Sequence, residues 1–169
     1  MKIYLKEESK KLRNIFKTIL AAFIGGILGA GIVNKVFVKK IEVIERMSNK
    51  HLALFIMMNQ WVKVKQKGEG LAEYLKKEGY KNIAVYGMSY AGETLVEELK
   101  NTDILIAYGI DKGADSMYSE IDVISPDEKL PKVDAIVVTA ITFFDEIEEM
   151  LSEKMDCPII SLEDILYEI

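Results

Sequence analysis

The chain has 169 residues, half of them apolar, and a net charge of −5, enough for one folded domain with an appendage. A single cysteine, Cys157, excludes an internal disulfide, and a single histidine, His51, without cysteine partners excludes a readable zinc site. Charge is unevenly placed: residues 1–80 carry 16 Lys/Arg against 7 Asp/Glu, and residues 81–169 carry 6 against 20. The basic half suits anionic lipid headgroups, whereas the acidic half would repel a nucleic acid.

Residues 1–17 are polar and basic. Thr18 to Val33 then run sixteen residues without a charge. As helix this is about 24 Å, short of a hydrocarbon core of about 30 Å. Counting Ile15–Val38, with Lys17 and Lys35 snorkelling, the length suffices for one transmembrane helix. Gly25 and Gly29 form a small-residue stripe with Ala22, Gly26 and Ala30, a pattern that lets two membrane helices approach. A signal peptide shares the basic start, but here the apolar core begins late. Basic residues flank both ends, so charge does not set the orientation. A cytoplasmic placement of the C-terminal domain follows from its expected ligand instead.

Val36 to Lys67 contains neither Gly nor Pro. Phe37, Ile41, Ile44, Ser48, His51, Phe55, Met58 and Val62 alternate at spacings of four and three, a heptad-like stripe with two polar interruptions. Leu52, Leu54, Ile56, Met57 and Trp61 widen the apolar surface. The segment reads as one amphipathic helix that pairs with its copy, lies on a membrane or docks on the following domain. Gly68-Glu69-Gly70 ends it, and Leu71–Glu78 forms a short helix stopped by Gly79.

Asn82 to Leu99, NIAVYGMSYAGETLVEEL, carries the strongest functional signal. Ile83–Tyr86 is a buried strand, and after Gly92 the residues Leu95, Val96 and Leu99 recur at helical spacing. Strand, glycine turn and helix form the opening unit of a nucleotide-binding domain, with a phosphate facing the helix N-terminus. The fingerprint G-x-G-x-x-G reads here Gly87-x-Ser89-x-x-Gly92, so a side chain stands at the middle position. Ser89 and Tyr90 would lie beside the ligand, Ser89 either donating to a phosphate or obstructing a dinucleotide.

Ile104–Ile110 reads as the second strand, ending at Asp111. Asp111 lies nineteen residues after Gly92, where such folds place an acid on the ribose hydroxyls. It equally begins a polar turn. Ile121–Ile124, Ala135–Ala140 and Cys157–Ile160 complete five parallel strands in an order near 3-2-1-4-5. Thr142–Lys154 is an amphipathic helix with Phe143, Ile147, Met150 and Leu151 inward. Ser161 opens a last short helix. Thr139 and Thr142 follow the fourth strand and would face the same crevice as the glycine turn. The expected fold is therefore α/β, a Rossmann-like doubly wound parallel sheet, preceded by a long helical segment. Its parts are 1–35 (basic start and transmembrane helix), 36–67 (amphipathic helix or linker) and 68–169 (Rossmann-like domain).

No catalytic constellation is found. Tyr108-Gly-Ile-Asp-Lys112 matches a Tyr-x-x-x-Lys spacing, but on a strand four residues span about 13 Å, with no shared helical face. Asp145, Glu146, Glu148 and Glu149 form a solvated helix face. Asp111, Asp115 and Asp122 fit no defined metal site.

IAVYGMSYAGETLVEEL, the Gly109-Ile-Asp-Lys112 strand end and AIVVTA (residues 135–140) together resemble the small Rossmann-like domains of bacterial capsule and exopolysaccharide loci. Similar domains precede the catalytic part of membrane-bound sugar-nucleotide dehydratases. The resemblance covers about residues 80–169 and lacks that catalytic part. It implies a nucleotide site at Gly87, Ser89, Gly92 and Asp111, with NAD(P) or a sugar nucleotide as ligand and polysaccharide-synthesis enzymes as partners. Three functions are consistent with the sequence. One is a membrane-anchored binding module on the cytoplasmic side. Another is a non-binding interaction scaffold that dimerises. The third is a minimal NAD(P)-dependent sugar epimerase or dehydratase.

Overall fold

The computed structural model describes Lys17 and residues 37–169. The expected transmembrane span and its Gly25/Gly29 stripe lie outside these residues. Among the described residues no helix is long and apolar enough to cross a membrane. The chain divides after Asn49, and the second unit, Lys50–Ile169, holds the sheet.

Residues 37–66 are helical (α1). There follow α2 (Leu71–Lys77), β1 (Asn82–Tyr86), α3 (Tyr90–Leu99), β2 (Leu105–Ile110), β3 (Val123–Ile124), β4 (Ala135–Val138), α4 (Phe144–Ser152), β5 (Ile159–Ser161) and α5 (Leu162–Glu168). All four strand pairings are parallel, in the order β3-β2-β1-β4-β5. That is the order expected from strands alternating with helices.

The two central strands are buried on both faces, as their unbroken apolar runs require. Alternation divides their side chains between two cores. Ile83 and Val85 of β1, with Ala135 and Val137 of β4, point to one face. There they meet Met57, Trp61 and Val64 of α1, Leu71 and Leu75 of α2, Leu95 and Leu99 of α3, and Leu162, Ile165 and Leu166 of α5. Ala84, Tyr86, Ile136 and Val138 point to the other face, onto Ile147 and Leu151 of α4 and onto Leu130 and Met155. Helices thus cover both faces, four on one and one on the other.

β2 departs from simple alternation. Its register against β1 jumps from Ile83↔Ile106 to Ala84↔Tyr108, leaving Ala107 as an unpaired extra residue. Such a bulge inverts the facing of everything after it. Ile106 therefore packs with the first core, while Tyr108 and Ile110 belong to the second.

Helix α3 begins at Tyr90, with Gly92 in its first turn. One local expectation needs correction. Phe143 is not inward. A 3₁₀ turn, Ile141–Phe143, precedes α4, and its tighter winding rotates Phe143 toward solvent, under the Lys50 ammonium 5.6 Å from its ring centre. Phe144 packs on the second core in its place.

One carboxylate ties the helices of the first face together. Glu98 of α3 accepts the Trp61 indole N–H at 2.6 Å and the Leu71 backbone N–H at 3.0 Å, and Lys65 lies 3.2 Å away. Leu71 is the first residue of α2, and its N-cap, Gly70, offers no side chain. Glu98 thus caps α2 from another helix, with its negative charge at the positive end of the dipole.

Candidate functional site

Gly87, Ser89, Tyr90, Gly92, Asp111 and Thr139 all surround one turn at the carboxyl edge of the sheet, between the ends of β1, β2 and β4. In an open parallel sheet this is where the strand order reverses and a crevice opens.

Gly87 adopts φ +95°, a backbone state that favours glycine. Its N–H donates to the Ile110 carbonyl at 2.8 Å. The Thr139 hydroxyl lies 2.5 Å from the Gly87 carbonyl oxygen and 3.2 Å from that of Tyr86, and donates its single proton to the nearer. Thr139 is only 2% exposed, so its hydroxyl serves the turn rather than the crevice. Gly92 packs directly beneath: a Cβ there would collide with the Gly87 carbonyl oxygen. Thr142, the other threonine after β4, lies in the 3₁₀ turn and is exposed.

Asp111 reaches the turn from β2. One carboxylate oxygen accepts the Met88 N–H at 2.9 Å, and the other accepts the Gly113 N–H at 2.8 Å. The carboxylate therefore pins the glycine turn to the tip of β2 and shapes its own following turn. A ribose hydroxyl at Asp111 would share oxygens already engaged with backbone. Its negative charge also acts on Tyr86 below, whose phenol is pushed up first by burial and then by Asp111 and Asp127.

The turn has a second anchor that the fingerprint does not include. The Met88 side chain is buried and lies over Gly109, where a Cβ would approach its Cγ and Sδ to 2.8 Å. The sequence carried a signal for this contact, because a glycine inside a strong apolar strand marks a bulge or a close approach. β2 has both, at Ala107 and Gly109.

What stays free is the start of α3. Its first intrahelical bond runs from the Glu93 N–H to the Ser89 carbonyl at 2.9 Å. The N–H groups of Tyr90, Ala91 and Gly92 consequently have no acceptor within the helix. Ser89 stands at the N-cap position, exposed, with no side-chain cap bond. Tyr90 is 88% exposed beside it. A rigid turn with helix donors that lack helical acceptors and one exposed hydroxyl can hold an anionic group through hydrogen bonds.

The flank of α3 has the opposite character. A cleft of about 730 Å³ runs toward β3, lined by Glu93, Glu97, Glu98 and Glu120 with Lys65 and Tyr118 among its other walls. Its carboxylates would repel a phosphate. Tyr108, the tyrosine of the Tyr-x-x-x-Lys spacing, donates to the Pro131 carbonyl at 2.5 Å in the second core. Burial pushes its phenol up to about 12, the reverse of what a tyrosinate base requires. Among the described residues, no group of three or more His, Cys, Asp or Glu could hold a metal ion.

Comparison with protein-family models, with curated proteins and with solved structures finds no match to this chain.

Proposed function

We propose that residues 50–169 form a Rossmann-like, non-catalytic module that binds a nucleotide or sugar nucleotide. In this reading the apolar segment 18–33 tethers it to the cytoplasmic side of a membrane, and it serves surface-polysaccharide synthesis in an accessory role. The observation that carries the proposal is the turn at Gly87. It lies where the strand order reverses, is fixed by Thr139, Asp111 and Met88, and leaves the first N–H groups of α3 without an acceptor in the helix and Ser89 exposed at its N-cap. A preorganised set of donors loses little freedom on binding. The membrane tether rests on the apolar run, and the polysaccharide context rests on the sequence resemblance.

A second reading has its own support. Asp111 and Thr139 spend their polar atoms inside the fold. A scaffold that keeps the turn but takes no ligand would look the same at those two residues.

Thermal stability of the full chain in detergent micelles, measured against NAD, NADP, CoA and UDP-sugars, separates the two readings. A binder at a hundred times its dissociation constant adds about 2.7 kcal/mol. Ser89→Glu places a carboxylate where the phosphate would sit, on an exposed side chain that the fold does not use. The binding module loses its thermal shift in this variant and keeps its melting temperature without ligand. A wild-type chain that responds to none of the four classes is the scaffold.

A further inference from the structure

We infer that two copies of this chain pair in parallel through the heptad positions of α1, independently of whether the sheet binds a nucleotide. The helix carries two apolar faces on opposite sides. Met57, Trp61 and Val64 enter the first core. Phe55, two residues before Met57 and so about 200° around the helix from it, is 70% exposed. Val62, on the same side as Phe55, is also exposed. Within residues 37–49, Phe37, Ile41 and Ile44 of the same stripe are exposed as well. The sheet domain thus uses one face of α1 and leaves the heptad stripe uncovered except at Met58, which packs in part on the first core.

The charges beside the stripe choose the occupant. With Ile41, Ser48 and Phe55 at a, and Phe37, Ile44 and His51 at d, Lys40 falls at g and Glu45 at e. In a parallel pair, g of one helix lies beside e of the next heptad in the other. Lys40 then faces Glu45 of the second copy, and the symmetry axis makes the pair twice. A helix lying on anionic lipid would carry basic residues along both borders of its apolar face. Here Lys40 stands on one border and Glu45 on the other, and the remaining e and g positions carry no charge. Ser48 and His51 place polar groups in the seam, a device that sets register at some expense in stability.

The test is disulfide cross-linking of the full chain in detergent micelles, in a Cys157→Ser background. Ile44→Cys at d and Phe55→Cys at a should each form linked dimers under mild oxidation, while Arg46→Cys at the outer f position should not. Linkage equal at all three positions, as from pairing through Gly25 and Gly29 alone, overturns the proposal. So does linkage at neither 44 nor 55, as for a helix lying on lipid. Dimers formed only when Phe37→Cys and Val62→Cys chains are mixed mean an antiparallel pair and overturn it as well. As a charge test, Lys40→Glu should weaken dimerisation about tenfold by replacing two attractions with two repulsions. Adding Glu45→Lys should restore it, and a double variant no better than the single one counts against the Lys40–Glu45 contact.

Discussion

At the carboxyl edge of the sheet, Asp111 accepts two backbone N–H groups and fixes the turn at Gly87. On the helix-covered face, Glu98 accepts an indole N–H and a backbone N–H and fixes three helices to one another. The chemistry is the same: a carboxylate answers donors that would otherwise be left unpaired near the core. The surroundings differ. Asp111 stands at the carboxyl edge of the sheet, beside the start of α3. Glu98 stands where three helices meet, on the wall of the cleft that flanks α3, with Lys65 as its counter-ion. An acid at a strand tip is therefore not a ligand residue by position alone, and an acid on a helix flank can be a principal structural joint.

The glycine beneath the turn offers the most severe way to break this comparison. Gly92→Val drives a Cβ into the Gly87 carbonyl oxygen, and neither backbone can yield without losing the bonds to Thr139 and Asp111. Destabilisation of about 3 kcal/mol is expected, read as a lowered midpoint in chemical denaturation. Glu98→Gln comes next. The amide turns a donor toward donors, so either Trp61 or Leu71 loses its acceptor, and Lys65 loses its charge partner. A loss of about 2 kcal/mol is expected. Trp61 is the only tryptophan of the chain, so its emission should also shift in the folded state. Asp111→Asn should cost about 1 kcal/mol, because one of its two backbone donors keeps an acceptor, and Trp61 emission should not change. If Asp111→Asn proves the more damaging of the two acids, the glycine turn and not the helix joint is the weaker link of the fold.

The smallest effect concerns Tyr108. Its phenol is neutral in the folded chain up to about 12 but ionises near 10 once unfolded. The folded state therefore holds a proton that the unfolded state has released. This contribution to stability is whole below pH 10 and is lost as the pH rises toward 12. Tyr108→Phe should flatten that part of the alkaline denaturation profile, while giving up the bond to Pro131. An unchanged alkaline limb would place the loss on another tyrosine, such as Tyr74, which is also raised to about 12 by burial and Glu168.

The strand order was legible because buried strands alternated with helical spacings, and right-handed crossovers leave few ways to join them. The turn was legible because Gly87 and Gly92 follow closely on a strand end. Other features were hidden for identifiable reasons. Glu98 meets Trp61 and Leu71 across 37 and 27 residues, and no local pattern announces such a pairing. In α1 two apolar faces overlap in one stretch: Met57 and Trp61 were legible as a second apolar set, with docking on the following domain as one of three roles, but Val64 was not read with them. Phe143 was misplaced because α-helical spacing was assumed through what is a 3₁₀ turn. The site reading identified the neighbourhood of Asp111 and Thr139 but not their bonds, since hydrogen bonding inside the fold and to a ligand draws on the same residue types.

The extra residue at Ala107 gives β2 slack in its length. Ala107 is exposed and unpaired, so its methyl can be exchanged for many other groups. Its deletion removes the bulge and nothing else. The ladder closes without interruption, Ile106 still opposite Ile83 and Tyr108 still opposite Ala84, so the phenol keeps its place in the second core and Gly109 its place under Met88. An alanine kept but drawn into regular pairing is the damaging event, because it turns Tyr108 and Ile110 to the opposite face. Register, and not residue count, is the property of β2 on which both cores and the turn at Gly87 depend.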